Sequence, residues 1–297
     1  MTSAPYHLGS GHLAWRQAVW SRARQARLRS WRLLASCLLP TRLHPCAGAP
    51  GAAWGRGLGG VRVAERDGLA RISFPTRQVL YSLPDRGAVT EAIRSYYMTA
   101  FLDQYDLTAL LRPGAVFLDI GAHVGSVALL ASHLVGAAGR VLAVEPHEGN
   151  FRCLEASVRE NRAENVTPVA CAAGHRPGTV ALARAAQGSQ LTSLEGRQDV
   201  VVSVRSVDEL VDEHGLERVD FIKIDTEGME REVLAGAAET VRWFRPTVAV
   251  AAHHRPGDDE RLARVLTEMR AGYRLQRGQF TLLQNSVTWA VPRSPDA

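Results

Sequence analysis

The chain has 297 residues, 46% hydrophobic and 22% charged, which suits one α/β domain with an additional segment and excludes a disordered or fibrous chain. Its 35 Lys and Arg against 30 Asp and Glu give +5, but residues 1–64 hold nine arginines and no acid, so a segment of +9 precedes a remainder of −4. No apolar run approaches the ~18 to 20 residues of a membrane span, and Cys37, Cys46, Cys153 and Cys171 form no CxxC pair or zinc-spaced cluster, so reduced thiols and no metal site are expected.

Residues 1–60 are rich in Arg, Trp, Gly, Ala and Pro. A helix over about residues 13–39 would set Trp15, Val19, Trp20, Leu28, Trp31, Leu34 and Leu38 beside the arginines. That composition suits an interfacial helix on anionic lipid, a transit peptide or a poorly ordered extension. The poorly ordered extension is the favoured reading, with peripheral membrane contact through residues 13–39 next, and residues 55–60 read as a linker. Residues 61–83 alternate apolar and polar positions (Val61, Val63; Ile72, Phe74; Val79, Tyr81) around Asp67-Gly68 and Pro75, the pattern of a short antiparallel strand pair. Residues 90–111 place Ile93, Tyr97, Phe101, Tyr105 and Leu107 at helical spacing before Pro113-Gly114. Packing against the sheet is the expected role of Tyr96, Tyr97 and Tyr105, and lining a substrate pocket the alternative. Residues 61–114 are thus expected to cap the substrate side of a domain spanning 115–297.

From residue 115 the pattern alternates: strand 115–120, helix 126–134, strand 140–144, helix 148–162, strand 166–171. Residues 174–197 break the rhythm, with a short strand at 180–183 and a polar loop at 188–193. Strand 200–206, helix 207–214 and strand 219–224 follow, then a helix carrying Met229, Val233, Leu234, Ala237, Val241 and Phe244. Strand 247–252, helix 259–270 and two strands within 273–291 close the chain. Repeated strand-helix units imply a parallel sheet covered on both faces with right-handed crossovers, a three-layer α/β sandwich.

The chemistry concentrates at three strand ends. In Asp119-Ile-Gly-Ala-His-Val-Gly125, Gly121 permits a sharp turn and Gly125 lets the next helix pack close to the strand. The freed N–H groups of the turn would hold a carboxylate, and Asp119 would accept from an ammonium, so an amino-acid end fits. His123 stands where a dinucleotide fingerprint wants glycine, which argues against NAD. Glu145, at the end of the next strand and followed by Pro146 and Asn150, is placed to bond both hydroxyls of a ribose. Together these residues favour a nucleoside cofactor. Lys223-Ile-Asp-Thr-Glu-Gly228 sets Asp225 and Glu227 at the mouth of the central strand, where open α/β sheets bind ligands. The competing reading there is an ion pair of Lys223 with one carboxylate, with Glu227 as a first-turn acid. His254 ends the following strand on the same rim, a candidate general base if its imidazole is neutral.

Phe117-Leu-Asp-Ile-Gly-Ala-His-Val-Gly125, Ala143-Val-Glu-Pro146 with Asn150-Phe151, and Val219-Asp-Phe-Ile-Lys-Ile-Asp-Thr-Glu-Gly-Met-Glu230 with Val233-Leu-Ala-Gly236 resemble the FkbM family of class I S-adenosylmethionine-dependent methyltransferases over about residues 90–291. The resemblance implies a Rossmann-like seven-stranded, mostly parallel sheet, S-adenosyl-L-methionine as cofactor, and O-methylation of a hydroxyl on a sugar, glycan or polyketide-type metabolite. It places Asp119, Gly121, Ala122, His123, Gly125, Glu145, Pro146 and Asn150 on the cofactor, and Asp225, Glu227 and His254 on the acceptor. Transfer from a sulfonium needs an in-line oxygen and removal of one proton. His254-Arg255-Pro256 with Asp258 or Asp259 is similar to the family's His-basic-Pro-x-Asp segment, whereas Gln279 and Asn285 stand where many members carry a His and a Glu. A cytoplasmic protein, peripheral to the membrane at most, is expected, with its oligomeric state left open. The competing class is a non-catalytic cofactor-binding or membrane-associated scaffold whose basic tail is the working part. A nucleic-acid substrate is not expected, because the catalytic half is acidic and lacks an Asn/Asp-Pro-Pro-Tyr-like motif.

Overall fold

The structure, a computed structural model, describes residues 54–58, 61–182, 200–269, 272–280 and 285–292. The expected helix at 13–39, with the rest of the basic extension up to residue 53, and the loop at 188–193 lie outside the described residues, as do the side chains of Gln279 and Asn285.

Four strands, β1 (Trp54–Leu58), β2 (Val61–Arg66), β3 (Leu69–Ser73) and β4 (Val79–Ser82), form an antiparallel sheet in sequential order. The strand pair expected from alternation is therefore the middle of a larger sheet, and β1 occupies most of the stretch read as a linker. Helix α1 (Arg86–Tyr97) begins at Asp85, whose side chain accepts from the amide of Ala88. The single helix expected over 90–111 is broken instead. A π-helical turn (Met98–Leu102) ends at Asp103 in the left-handed region, and the Asp103 carboxylate takes the amides of Leu107 and Thr108 to start the short α2 (Leu107–Leu110).

The main sheet contains β5 (Val116–Ile120), β6 (Arg140–Val144), β7 (Val166–Val169), β11 (Phe221–Ile224), β12 (Thr247–Ala251), β13 (Tyr273–Phe280) and β14 (Asn285–Pro292), in the order β13-β14-β12-β11-β5-β6-β7. The five strands from β7 to β12 run parallel, and the closing hairpin adds antiparallel pairs at one edge. This is the seven-stranded, mostly parallel sheet expected from the sequence. Strands β5 and β11 are buried throughout, as the middle of a sheet covered on both faces must be. Helices α3 (Ser126–Val135) and α4 (Glu148–Glu160) contribute buried side chains to one core cluster. A second cluster takes in α5 (Val207–Glu213), α6 (Glu230–Ala235), α7 (Ala238–Phe244) and α8 (Asp258–Met269). A small third sheet joins β8 (Ala172–Ala173), β10 (Val200–Arg205) and β9 (Gly178–Leu182).

The one helix expected from Met229 to Phe244 is two. Asp208 on α5 donates its amide to the carbonyl of Gly236, and its carboxylate takes the amides of Glu239 and Thr240. A side chain from another element thus caps α7 and sets the break. Among the described residues no helix is long and apolar enough to cross a membrane. Cys153 and Cys171 are buried free thiols, pushed up by burial to about 12 and about 11, and so inert as nucleophiles.

Candidate functional site

The chain leaves β5 toward β6 and β7 on one side and returns as β11 and β12 on the other, so the crevice between β5 and β11 is the switch point of the sheet. Gly121 turns there with φ +82°, and a Cβ on it would meet the carbonyl oxygen of Asp225 at 1.9 Å. The loops leaving the two central strands are therefore in backbone contact, which only glycine allows. His123 and Glu227, one on each loop, hold left-handed φ of 52° and 55° without being glycine, a strain that concentrates at functional sites.

The amides of this turn are engaged within the chain. Gly121 and Ala122 both donate to the carbonyl of Val144 at 3.0 and 2.9 Å, Gly125 to the carbonyl of Ala122, and His123 to Oε2 of Glu145 at 2.9 Å. The turn, expected to offer freed amides to a carboxylate, thus gives those of Gly121, Ala122 and His123 to Val144 and Glu145. Glu145 is 5% exposed, and beyond Pro146 it also accepts from the amide of His147 (3.0 Å) and from Nδ2 of Asn150 (3.3 Å). Burial pushes its carboxyl up, opposed by these donors, which fix its orientation at the rim.

On the other side of the crevice Asp119 and Lys223 face each other across paired strands, Nζ to Oδ1 2.9 Å, at 0% and 2% exposure. Asp119 is thus ion-paired inside the protein, while neither of its buried oxygens accepts a well-aligned hydrogen bond. Burial opposes the charge on Lys223, but Asp119 and Asp225 outweigh it and raise the ammonium further, and its Nζ also donates to the carbonyl of Gly121 at 2.6 Å.

Asp225 accepts from the hydroxyl of Tyr105 through Oδ2 at 2.6 Å, and Tyr105 is positioned in turn by Trp289, whose Nε1 donates to its carbonyl at 3.1 Å. Burial first, then Asp225, hold Tyr105 well above the usual phenol range, so it stays a donor. Tyr96 stacks on Phe74 with ring centroids 3.6 Å apart, Tyr97 packs edge-on against Phe74, and Tyr105 reaches an acid of the site. His254 stands among three carboxylates. Its Nε2 lies 3.4 Å from Oδ1 of Asp225 and 3.6 Å from Oε2 of Glu227, and its Nδ1 2.9 Å from Oε1 of Glu230, a charge contact short of a well-aligned hydrogen bond. Burial would lower His254, but Glu230, Asp225 and Glu227 outweigh it and hold the imidazole up at about 9. The neutral base expected at this position is therefore an imidazolium at neutral pH. Burial raises Glu227 despite His254.

Asp258 rather than Asp259 takes the amide of Arg255, at 2.7 Å, and so holds the turn that carries His254. Two residues of the cluster escaped the sequence reading. Glu230 has no signal in the sequence beyond closing the Val219–Glu230 motif, and His253, whose ring lies 4.3 Å from that of His254, has none beyond its neighbour's.

Residues 119–275 match the model of the methyltransferase FkbM domain. Among solved structures, a methyltransferase FkbM from Methylobacillus flagellatus KT aligns at 19% identity and TM-score 0.48, covering 70% of this chain and 56% of its own length. The fibrillarin of Aeropyrum pernix, solved with natively bound S-adenosyl-L-methionine, aligns at 15% identity and TM-score 0.45, covering 77% of this chain and 97% of that one. An O-methyltransferase-like protein of Klebsiella pneumoniae aligns at 14% identity and TM-score 0.42, over 68% and 81% of the two chains. No curated protein matches the chain. The chain thus spans just over half the length of the Methylobacillus structure. The matched domain covers more than half of the present chain and carries all three strand ends of the crevice, and on that match the chain belongs to the FkbM family of class I S-adenosylmethionine-dependent methyltransferases.

Proposed function

We propose that the protein methylates a hydroxyl oxygen of a sugar, glycan or polyketide-type small molecule. The observation that carries this reading is the meeting of two unlike surfaces at one switch point: Glu145 with its three donors on the β6 side, and Asp225, Glu227 and His254 on the β11 and β12 side. The residues present fit the donor. A buried carboxylate held by three donors keeps one of its roughly four acceptor sites, on Oε2, for a ribose hydroxyl, and Asp119, Glu145, Asp225, Glu227 and Glu230 outnumber Lys223 and His254, which favours a sulfonium. Gly121 supplies room at the closest approach of the loops, with Ala122, His123 and Gly125 completing the turn and Pro146 and Asn150 flanking Glu145.

When bound, S-adenosylmethionine supplies a methyl carbon on a sulfonium. Transfer breaks the carbon–sulfur bond, forms a carbon–oxygen bond and releases the hydroxyl proton. The task of the chain is then to align the acceptor oxygen and draw off that proton, with Asp225 and Glu227 as the bases at hand and the His254 imidazolium set beside both.

Calorimetry with S-adenosylmethionine tests the donor side: Glu145→Ala is expected to weaken binding at least ~10-fold, the scale of one lost charged hydrogen-bonding partner. Unchanged affinity would sink that assignment. On the acceptor side, His254→Ala is expected to bind cofactor normally while losing methyl transfer to a panel of sugars and polyketides. A product methylated on nitrogen or carbon would overturn the choice of oxygen.

A further inference from the structure

We propose that Asp225, His253 and His254 form a binding site for a divalent transition-metal ion, beside the place where the acceptor hydroxyl is expected. One ligand atom from each of the three lies within 4.8 Å of the others. The closest pair, Nε2 of His254 and Oδ1 of Asp225, is 3.4 Å apart. Bonds of ~2.0 to 2.1 Å in tetrahedral geometry place neighbouring ligand atoms about 3.4 Å apart, so that pair already has metal-site spacing.

The second observation is the set of groups behind each ligand. Metal-binding imidazoles almost always give their other ring nitrogen to a carboxylate or a carbonyl, which fixes the tautomer and turns the free nitrogen to the metal. Here Nδ1 of His254 faces Oε1 of Glu230 at 2.9 Å, and that oxygen is itself held by the amides of Thr226 (2.9 Å) and Gly228 (3.1 Å). Nδ1 of His253 faces the carbonyl of Ser286 at 3.4 Å. Both rings therefore keep Nε2 for a ligand. Asp225 is oriented in the same manner, because Tyr105 occupies its Oδ2 and leaves Oδ1 for the ion. Oε2 of Glu227, 3.6 Å from Nε2 of His254, is near enough to add a fourth ligand. His254 is nine-tenths buried.

Two imidazoles and a carboxylate suit Mn²⁺, Fe²⁺, Co²⁺ or Zn²⁺ rather than Mg²⁺ or Ca²⁺, which prefer all-oxygen sets. The ion takes the place of the proton on Nε2 of His254, and that proton leaves to solvent. An ion on this rim acts as a Lewis acid toward an acceptor hydroxyl. That role rests on the methyl-transfer reading, whereas binding of the ion does not.

The test is a Co²⁺ titration of the untagged full chain without S-adenosylmethionine, followed by visible absorption and calorimetry. One equivalent is expected to bind with a ligand-field absorption band. His253→Ala and His254→Ala are each expected to abolish the band. Tyr105→Phe keeps every ligand and should retain the band while weakening affinity by about 10 to 100-fold, the usual effect of losing such a supporting partner. Circular dichroism confirms that each variant is folded. Absence of the band in the wild-type chain, or wild-type affinity in both folded histidine variants, overturns the proposal. Because cofactor is left out, a failure here leaves the calorimetry of Glu145→Ala to judge the donor side separately.

Discussion

Asp119 and Lys223 are among the most deeply buried charges of the crevice, and they face each other as an ion pair. Removing one partner of such a pair leaves an uncompensated charge in a low-dielectric interior, at a cost of about 3 to 5 kcal/mol. Lys223→Met is therefore expected to lower unfolding free energy by that amount in urea, with the slope of the transition unchanged. Adding Asp119→Leu to Lys223→Met removes the orphaned charge and should restore most of the loss; a double variant as unstable as the single one would show that the damage is to packing instead. Both residues were legible in the sequence, but their partnership was not. They are neighbours only because β5 and β11 pair in the register Asp119 to Lys223, and nothing in local spacing announces a contact between strands so far apart in the chain. His253 was hidden for a different reason. Alternation along a strand would send two adjacent side chains to opposite faces, but β12 ends at Ala251, and beyond it both rings turn to the same rim.

At the scale of elements, the N-terminal sheet is joined to the main domain through its edge. Among the described residues, strand β4 has a strand neighbour only on the β3 side, so its other row of backbone groups needs partners. Helix α4 and its C-cap supply them: Asn161 takes the amide of Val79 through Oδ1 (3.0 Å) and gives Nδ2 to the carbonyl of the same residue (2.6 Å), and Ser157 takes the amide of Tyr81 (2.9 Å). Outside these, Glu160 binds Arg71 at 2.6 Å. Asn161→Ala strips two partners from one backbone residue of a buried strand and is expected to cost about 1 to 3 kcal/mol by chemical denaturation. A loss below ~0.5 kcal/mol would mean that water reaches this edge. Alternating apolar positions gave away β2 to β4, but the glycines of β1 made it read as a linker, and the caps at Asp103 and Asp208 that divide two predicted helices come from side chains whose targets only the fold reveals.

For the whole molecule, the parallel part of the sheet was readable because alternating strands and helices allow few other arrangements, and the closing hairpin could add only at an open edge. The direction of each residue's contacts was less accessible: the glycine turn was expected to offer its amides to a ligand, and at Gly121 to His123 it spends them on β6. On the proposed reading, a cofactor in this crevice would be held through the acids and the shape of the rim, and would join loops from β5, β6 and β11 in one ligand. A ligand that binds only the folded chain stabilises it by about 2.7 kcal/mol at 100 times its dissociation constant. At ~2 to 4 °C per kcal/mol for a domain of 150 to 250 residues, the midpoint should rise by about 5 to 11 °C in differential scanning calorimetry of the full chain. Glu145→Gln should abolish most of that rise, because the two acceptor sites of an amide oxygen cannot hold the donors of His123, His147 and Asn150 and also accept from a ribose hydroxyl. A full shift in that variant would move the cofactor away from Glu145, and no shift in the wild-type chain would detach the crevice from the cofactor altogether.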